Sequence, residues 1–132
     1  MISRNELLAI KYLLETDVLV DYLVSNENNY LIKLMTTGIC FTTVLNVSEM
    51  LAACKDEIEK SSVRNVLDSL KVLGLHSRYA LSVPEFSEKV MTLRDALFAV
   101  VSSINKLPIV TLDSEKYKKT NLKIIHPQEI GA

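Results

Sequence analysis

Residues 94–113 read RDALFAVVSSINKLPIVTLD, and two different periodicities meet in them. From Arg94 to Asn105 apolar side chains occupy most of the circumference of a helix, which predicts a buried helix. After Lys106-Leu107-Pro108 the run Ile109-Val110-Thr111-Leu112 reads as a short strand. A buried helix feeding directly into an apolar strand is the repeating unit of a parallel α/β sheet.

The rest of the chain repeats that unit. Ile10 to Leu14 is β-compatible and ends in Glu15-Thr16-Asp17, where Thr16 or Asp17 can cap a helix from Val18 to Ser25. Asn28 to Thr36 reads as a second short helix. Ile39 to Thr42, opened by Gly38, is a second strand, and Thr43 can cap a helix from Val44 to about Cys54. Glu57 to Leu73 is expected as one longer helix, with a stripe of Ile58, Val63, Val66, Leu67 and Leu70 and Gly74 as its stop. Tyr79, Leu81 and Val83 alternate with polar or small residues and predict a third strand, after which Pro84 opens a helix. Ser114 to Lys119 reads as a short helix, and Lys123-Ile124-Ile125 as a short fifth strand. The expected fold is a single α/β domain over residues 1–132, in three layers, with a central, mostly parallel five-stranded sheet flanked by helices.

Composition narrows the function classes. The chain has 132 residues, 48% hydrophobic and 23% charged, which suits a globular fold and argues against disorder. Its longest nearly apolar run, Ala96 to Ile104, is too short to span a membrane. The start, MISRNELLAIKYLLETD, lacks the pattern of a signal peptide, so a cytoplasmic protein is expected. Two cysteines, Cys40 and Cys54, imply buried thiols rather than a disulfide framework. Fifteen basic against sixteen acidic residues leave no overall field for a polyanion, so any basic surface must be local. Lys116, Lys118, Lys119 and Lys123 form such a cluster, readable as RNA-phosphate contacts or as a solvated face. His76 and His126 lack partners at zinc-ligand spacing, and the five tyrosines form no base-stacking platform.

Ligands of open α/β sheets bind beyond the carboxyl ends of the strands. Acids recur there. Glu15 and Asp17 follow the first strand, Glu49 lies in the helix after the second, Asp95 opens the buried helix, and Asp113 follows the fourth strand. Each has a local explanation. Asp17 and Asp113 can cap helices, Thr92-Leu93-Arg94-Asp95 has capping-box spacing, Arg94 can neutralise Asp95, and Glu49 can face solvent. Taken together they suggest more. Carboxylates gathered within a few ångströms resist joint ionisation, and a hard cation such as Mg²⁺ or Mn²⁺ removes the conflict. A cation so held can activate water against a phosphodiester.

Four segments in order carry a resemblance: YLLETDVLVDYL (12–23), TTVLNVSEML (42–51), RDALFA (94–99) and LPIVTLD (107–113). Together they resemble the PIN-domain family, in particular its small VapC-type toxin ribonucleases, over nearly the whole chain. The resemblance implies a five-stranded parallel sheet and an acidic pocket of Glu15, Glu49, Asp95 and Asp113 that binds Mg²⁺ or Mn²⁺ and orients water for attack on RNA. Thr16 and Thr111 would contact the substrate phosphate or support the ligands. Glu15 stands where the family has an aspartate, and Asp17 where an asparagine is common, so Asp17 joins the metal-ligand candidates. The resemblance also implies a homodimer and silencing by a small antitoxin protein. The alternative is a PIN-like domain without catalysis, acting in binding or assembly. A phosphoacceptor receiver domain is disfavoured, because the chain lacks a lone aspartate ending the middle strand and a late Lys-Pro.

Overall fold

The computed structural model describes residues 9–24 and 30–130. In chain order they form β1 (Lys11–Leu14), α1 (Thr16–Val24), α2 (Tyr30–Thr37), β2 (Ile39–Thr43), α3 (Val44–Ala53), α4 (Glu57–Leu67), β3 (Lys71–Leu73), α5 (Leu93–Asn105), β4 (Ile109–Val110) and β5 (Ile124–Ile125). Single 3₁₀ segments cover Ser77–Glu85, Ser114–Thr120 and Pro127–Glu129. The expected starts and ends at Ser25 and Asn28 lie outside the described residues.

The five strands form one sheet in the order β3-β2-β1-β4-β5, and every neighbouring pair is parallel. Alternation along β1 divides the core. Tyr12 and Leu14 point to one side, onto Leu19, Leu34, Met50 and Val63. Leu13 points to the other, onto Phe98, Val101, Ile109 and Tyr117. That period of two places helices on both faces and makes the three layers. Helix α5 is buried along most of its length, with Ala96, Phe98, Ala99, Val100 and Val101 all fully enclosed. Gly38 is required between α2 and β2: a Cβ there would lie 2.5 Å from the Ile10 carbonyl oxygen.

Two expected elements differ. The helix from Glu57 ends at Leu67, and Lys71–Leu73 forms the edge strand β3 instead of a last helical turn. Its stripe also loses Ile58, which is exposed. The alternation of Tyr79, Leu81 and Val83 belongs to the 3₁₀ segment, which contains Pro84 rather than a helix that Pro84 opens. Tyr79 and Val83 pack on the core while Leu81 is exposed, so two of the three alternating residues share a face.

The chain builds β1, β2 and β3 outward on one side of the sheet, then crosses to β4 and β5 on the other. The crevice where strand order reverses therefore lies at the carboxyl ends of β1 and β4, beside Glu15 and Thr111. Among the described residues no helix is long and apolar enough to cross a membrane.

Candidate functional site

An open cleft of about 1060 Å³ occupies that position. Its floor holds Glu15, Glu49, Arg94 and Asp95, and Lys89, Asp113, Lys118 and Lys119 also line it. Glu15 is the first residue after β1 and is almost wholly buried. An unpaired carboxylate there would cost several kcal/mol, on the order of the desolvation of an ion. It is heavily paired instead. Arg94 forks onto it, Nη2 to Oε1 and Nη1 to Oε2, the latter at 2.6 Å. Oε1 also accepts from the Thr16 amide at 2.9 Å and from Asn46 Nδ2 at 3.0 Å. Oε2 also accepts from the Tyr117 hydroxyl and from Lys116 Nζ at 3.4 Å. Burial alone would push the Glu15 carboxyl up, but the Arg94 hydrogen bond and charge, with help from Tyr117 and Lys116, bring it down to about 2. The same environment pushes the Tyr117 phenol upward, first through burial and then through the Glu15 charge.

Asn46 reaches Glu15 because of a local capping device. Thr43 caps α3, its Oγ1 accepting the Leu45 amide at 3.1 Å. Asn46 Oδ1 accepts in return from the Thr43 amide at 3.1 Å and from Thr43 Oγ1 at 2.6 Å. With its oxygen so engaged, the amide presents Nδ2 to Glu15 and to Thr16 Oγ1, the second at 2.9 Å. One turn further along α3, Glu49 comes over the cleft. Its Oε1 accepts from Thr16 Oγ1 at 2.8 Å and from Arg94 Nη2 at 2.6 Å, and its Oε2 from Arg94 Nε at 3.0 Å.

Arg94 sits in the first turn of α5, one residue before Asp95. Thr92 caps this helix by accepting the Asp95 amide at 3.1 Å, which is one half of the expected capping box. The buried Asp95 carboxylate turns into the site, 3.1 Å from Arg94 Nη1 and 3.2 Å from Lys116 Nζ. The guanidinium lies 5.3 Å above the Phe98 ring, one turn along the same helix, which fixes its plane toward the carboxylates. Burial opposes its charge, but the Glu15 and Glu49 hydrogen bonds outweigh it and hold Arg94 firmly protonated.

The expected acids thus fall into three groups. Glu15, Glu49 and Asp95 converge on one cation, Arg94. Asp113 is exposed on the wall of the cleft; it begins the 3₁₀ segment Ser114–Thr120 but makes no capping bond with its side chain. Asp17 points to the end of β4, where Oδ2 accepts from Thr111 Oγ1 at 2.6 Å and from the Leu112 amide at 3.0 Å. Its Oδ1 is buried with no partner among the described residues. Burial, with the Glu15 charge nearby, pushes the Asp17 carboxyl upward despite those two bonds. Thr16 bridges Asn46, Arg94 and Glu49, whereas Thr111 is fully buried and serves Asp17.

Asn46 and Tyr117 were not singled out by sequence for this site, and Lys116, which the sequence offered as an RNA-phosphate contact or part of a solvated face, pairs instead with Glu15 and Asp95. Thr43-x-x-Asn46 carries a legible signal, the spacing of a capping box. Nothing local marks Tyr117, which arrives from a 3₁₀ segment more than twenty residues beyond Arg94.

Oxygen donors from Glu15, Glu49 and Asp95 suit a hard cation chemically, but their arrangement does not suit one. An ionised carboxylate offers about four lone-pair positions. Glu15 already accepts from Thr16, Asn46, Arg94, Tyr117 and Lys116. Among the described residues no three carboxylate, histidine or cysteine groups stand where they would hold a metal ion together. The residues as folded do not fit Mg²⁺ or Mn²⁺.

Solved structures of similar fold cover almost the whole of their own chains. VapBC2 from Rickettsia felis, solved with a DNA fragment from its promoter, superposes with a TM-score of 0.75 at 18% identity, over 89% of this chain and 98% of that one. A toxin–antitoxin complex from Klebsiella pneumoniae gives 0.74 at 13% identity, over 88% and 97%. FitAcB from Neisseria gonorrhoeae gives 0.72 at 14% identity, over 90% and 99%. At these identities the likeness is one of fold. No curated protein sequence matches the chain. The PIN domain family model matches residues 12–122, from the first strand through every residue of the ion-paired floor, and the chain belongs to the PIN domain family.

Proposed function

We propose that the chain is an endoribonuclease of the toxin type, cleaving RNA phosphodiesters in the cleft beyond β1 and β4. The observation that supports this most is the convergence of Glu15, Glu49 and Asp95 at the strand-order reversal of a PIN domain. Lys89, Lys118 and Lys119 line the same cleft and suit the backbone of a single strand. In this reading Thr16 supports the carboxylates through its bond to Glu49, and Asp113 faces the incoming strand from the wall.

The resemblance also implies Mg²⁺ or Mn²⁺ at Glu15, Asp17, Glu49, Asp95 and Asp113. Arg94 and Lys116 already engage the floor carboxylates, so the residues as folded leave that ion no seat among them. The same observation favours a second reading, a PIN domain that binds RNA or a protein without cleaving.

The partner in our reading is a small antitoxin. A second groove of about 460 Å³, lined by Val20, Leu23, Val24, Met50, Ala53 and Val63, shares Thr16 and Glu49 with the cleft. An apolar segment lying there would end at the carboxylates. A homodimer in the cytoplasm completes the proposal.

The test is RNA cleavage by the native chain, Glu49→Gln and Asp95→Asn, each with Mg²⁺, with Mn²⁺ and with chelator. Cleavage by the native chain that falls by about 10² or more in both variants is expected. A folded native chain that leaves RNA intact under every condition would overturn the nuclease reading and leave the binding module.

A further inference from the structure

We infer that Arg94 is the built-in counter-ion of this acidic site and keeps divalent cations out of it until the guanidinium is removed. Three features of the geometry carry this. First, Arg94 meets both Glu15 and Glu49 with paired contacts, Nη1 and Nη2 on one and Nε and Nη2 on the other. A planar fork matched to two carboxylates uses the oxygens a metal would need. Second, the charges nearly cancel. Three carboxylates, Glu15, Glu49 and Asp95, face two cations, Arg94 and Lys116, so an approaching divalent ion meets one net negative charge instead of three. Third, Arg94 is held from behind by the Phe98 ring at 5.3 Å, so the seated position is packed and not a surface excursion.

The inference concerns cation access to the site proposed above and rests on that reading for its consequence: with Arg94 seated, cleavage by the native chain is expected to depend little on added Mg²⁺ or Mn²⁺. Its test contains no RNA, so the failure of one is distinguishable from the failure of the other.

Mn²⁺ alone is titrated into the full chain and followed by loss of the free-ion electron paramagnetic resonance signal, for native protein, Arg94→Gln and Arg94→Lys. Arg94→Gln is expected to bind one ion at least about tenfold more tightly than native, and Arg94→Lys, which keeps the charge but not the fork, to fall between the two. Equal Mn²⁺ affinity of native and a folded Arg94→Gln, or no binding to that variant, would overturn the inference. The native chain gives a second reading that needs no variant. The Arg94 Nε–H resonance should stay sharp in Mn²⁺, and its broadening beyond detection would place the ion in the floor and refute the counter-ion role.

Discussion

Asp17 and Glu15 show how two carboxylates two residues apart acquire opposite fates. Glu15 is enclosed but answered by an arginine, a phenol and an amide, so its carboxyl is held at about 2. Asp17 is partly enclosed and answered only by a threonine hydroxyl and one backbone amide, with Oδ1 unpartnered among the described residues, so its carboxyl is pushed up. A carboxyl whose folded pKa is raised favours folding below its unfolded pKa and loses that contribution as pH rises through the folded value. At neutral pH the Asp17 charge therefore costs stability. Asp17→Asn should keep an oxygen for Thr111 and Leu112, remove the charge and raise the unfolding free energy at pH 7 by about 0.5 kcal/mol once solvent screening is allowed for, read as a higher urea midpoint at unchanged slope. The difference from native should vanish as pH falls below the ordinary aspartate value of 3.8. The sequence exposed both acids as candidates. It could not separate them, because their fates turn on Arg94, Asn46 and Thr111, which lie far away along the chain.

Elements followed their sequence signals where burial was two-sided and lost them where it was not. Strand β1 and helix α5, enclosed by the core, stood out as apolar runs. The edge strand β3 did not. Its three residues are largely exposed and include Lys71, a composition that blunts an edge and erases alternation. Leu70, buried just before it, fits a helical stripe as well as it fits the turn it occupies. The alternation at Tyr79, Leu81 and Val83 misled for a related reason: residues four apart share a face in a strand and nearly so in a helical turn, so only the exposed Leu81 separates the two. Helix α5 ends with Lys106 in the left-handed region, φ 54°, its amide bonded back to Ser103 at 3.4 Å and that of Leu107 to Ser102 at 3.0 Å. A side chain there is strained, and glycine is not. Lys106→Gly should therefore raise stability by about 1 kcal/mol in chemical denaturation, whereas glycine elsewhere in α5 should lower it.

At the scale of the molecule, the site exists only because the sheet order brings distant segments to one rim. Glu15 comes from the end of β1, Asn46 and Glu49 from α3, Arg94 and Asp95 from the start of α5, and Lys116 and Tyr117 from the segment after β4. Motif spacing revealed the acids and the family fold they belong to. It did not reveal that the residue beside Asp95 would fill the space between them, since Arg94 read equally well as a local neutraliser of its neighbour. The site stands on that long-range ion pair within one chain, and a double-mutant cycle on unfolding free energy with Arg94→Gln and Glu15→Gln addresses it directly. Breaking a buried pair strands the remaining charge, so each single change should cost about 3 kcal/mol or more, and the double change much less than their sum, with a coupling of at least about 2 kcal/mol. Additive effects, within about 0.5 kcal/mol, would contradict the account and mean that Arg94 and Glu15 do not meet in the folded chain.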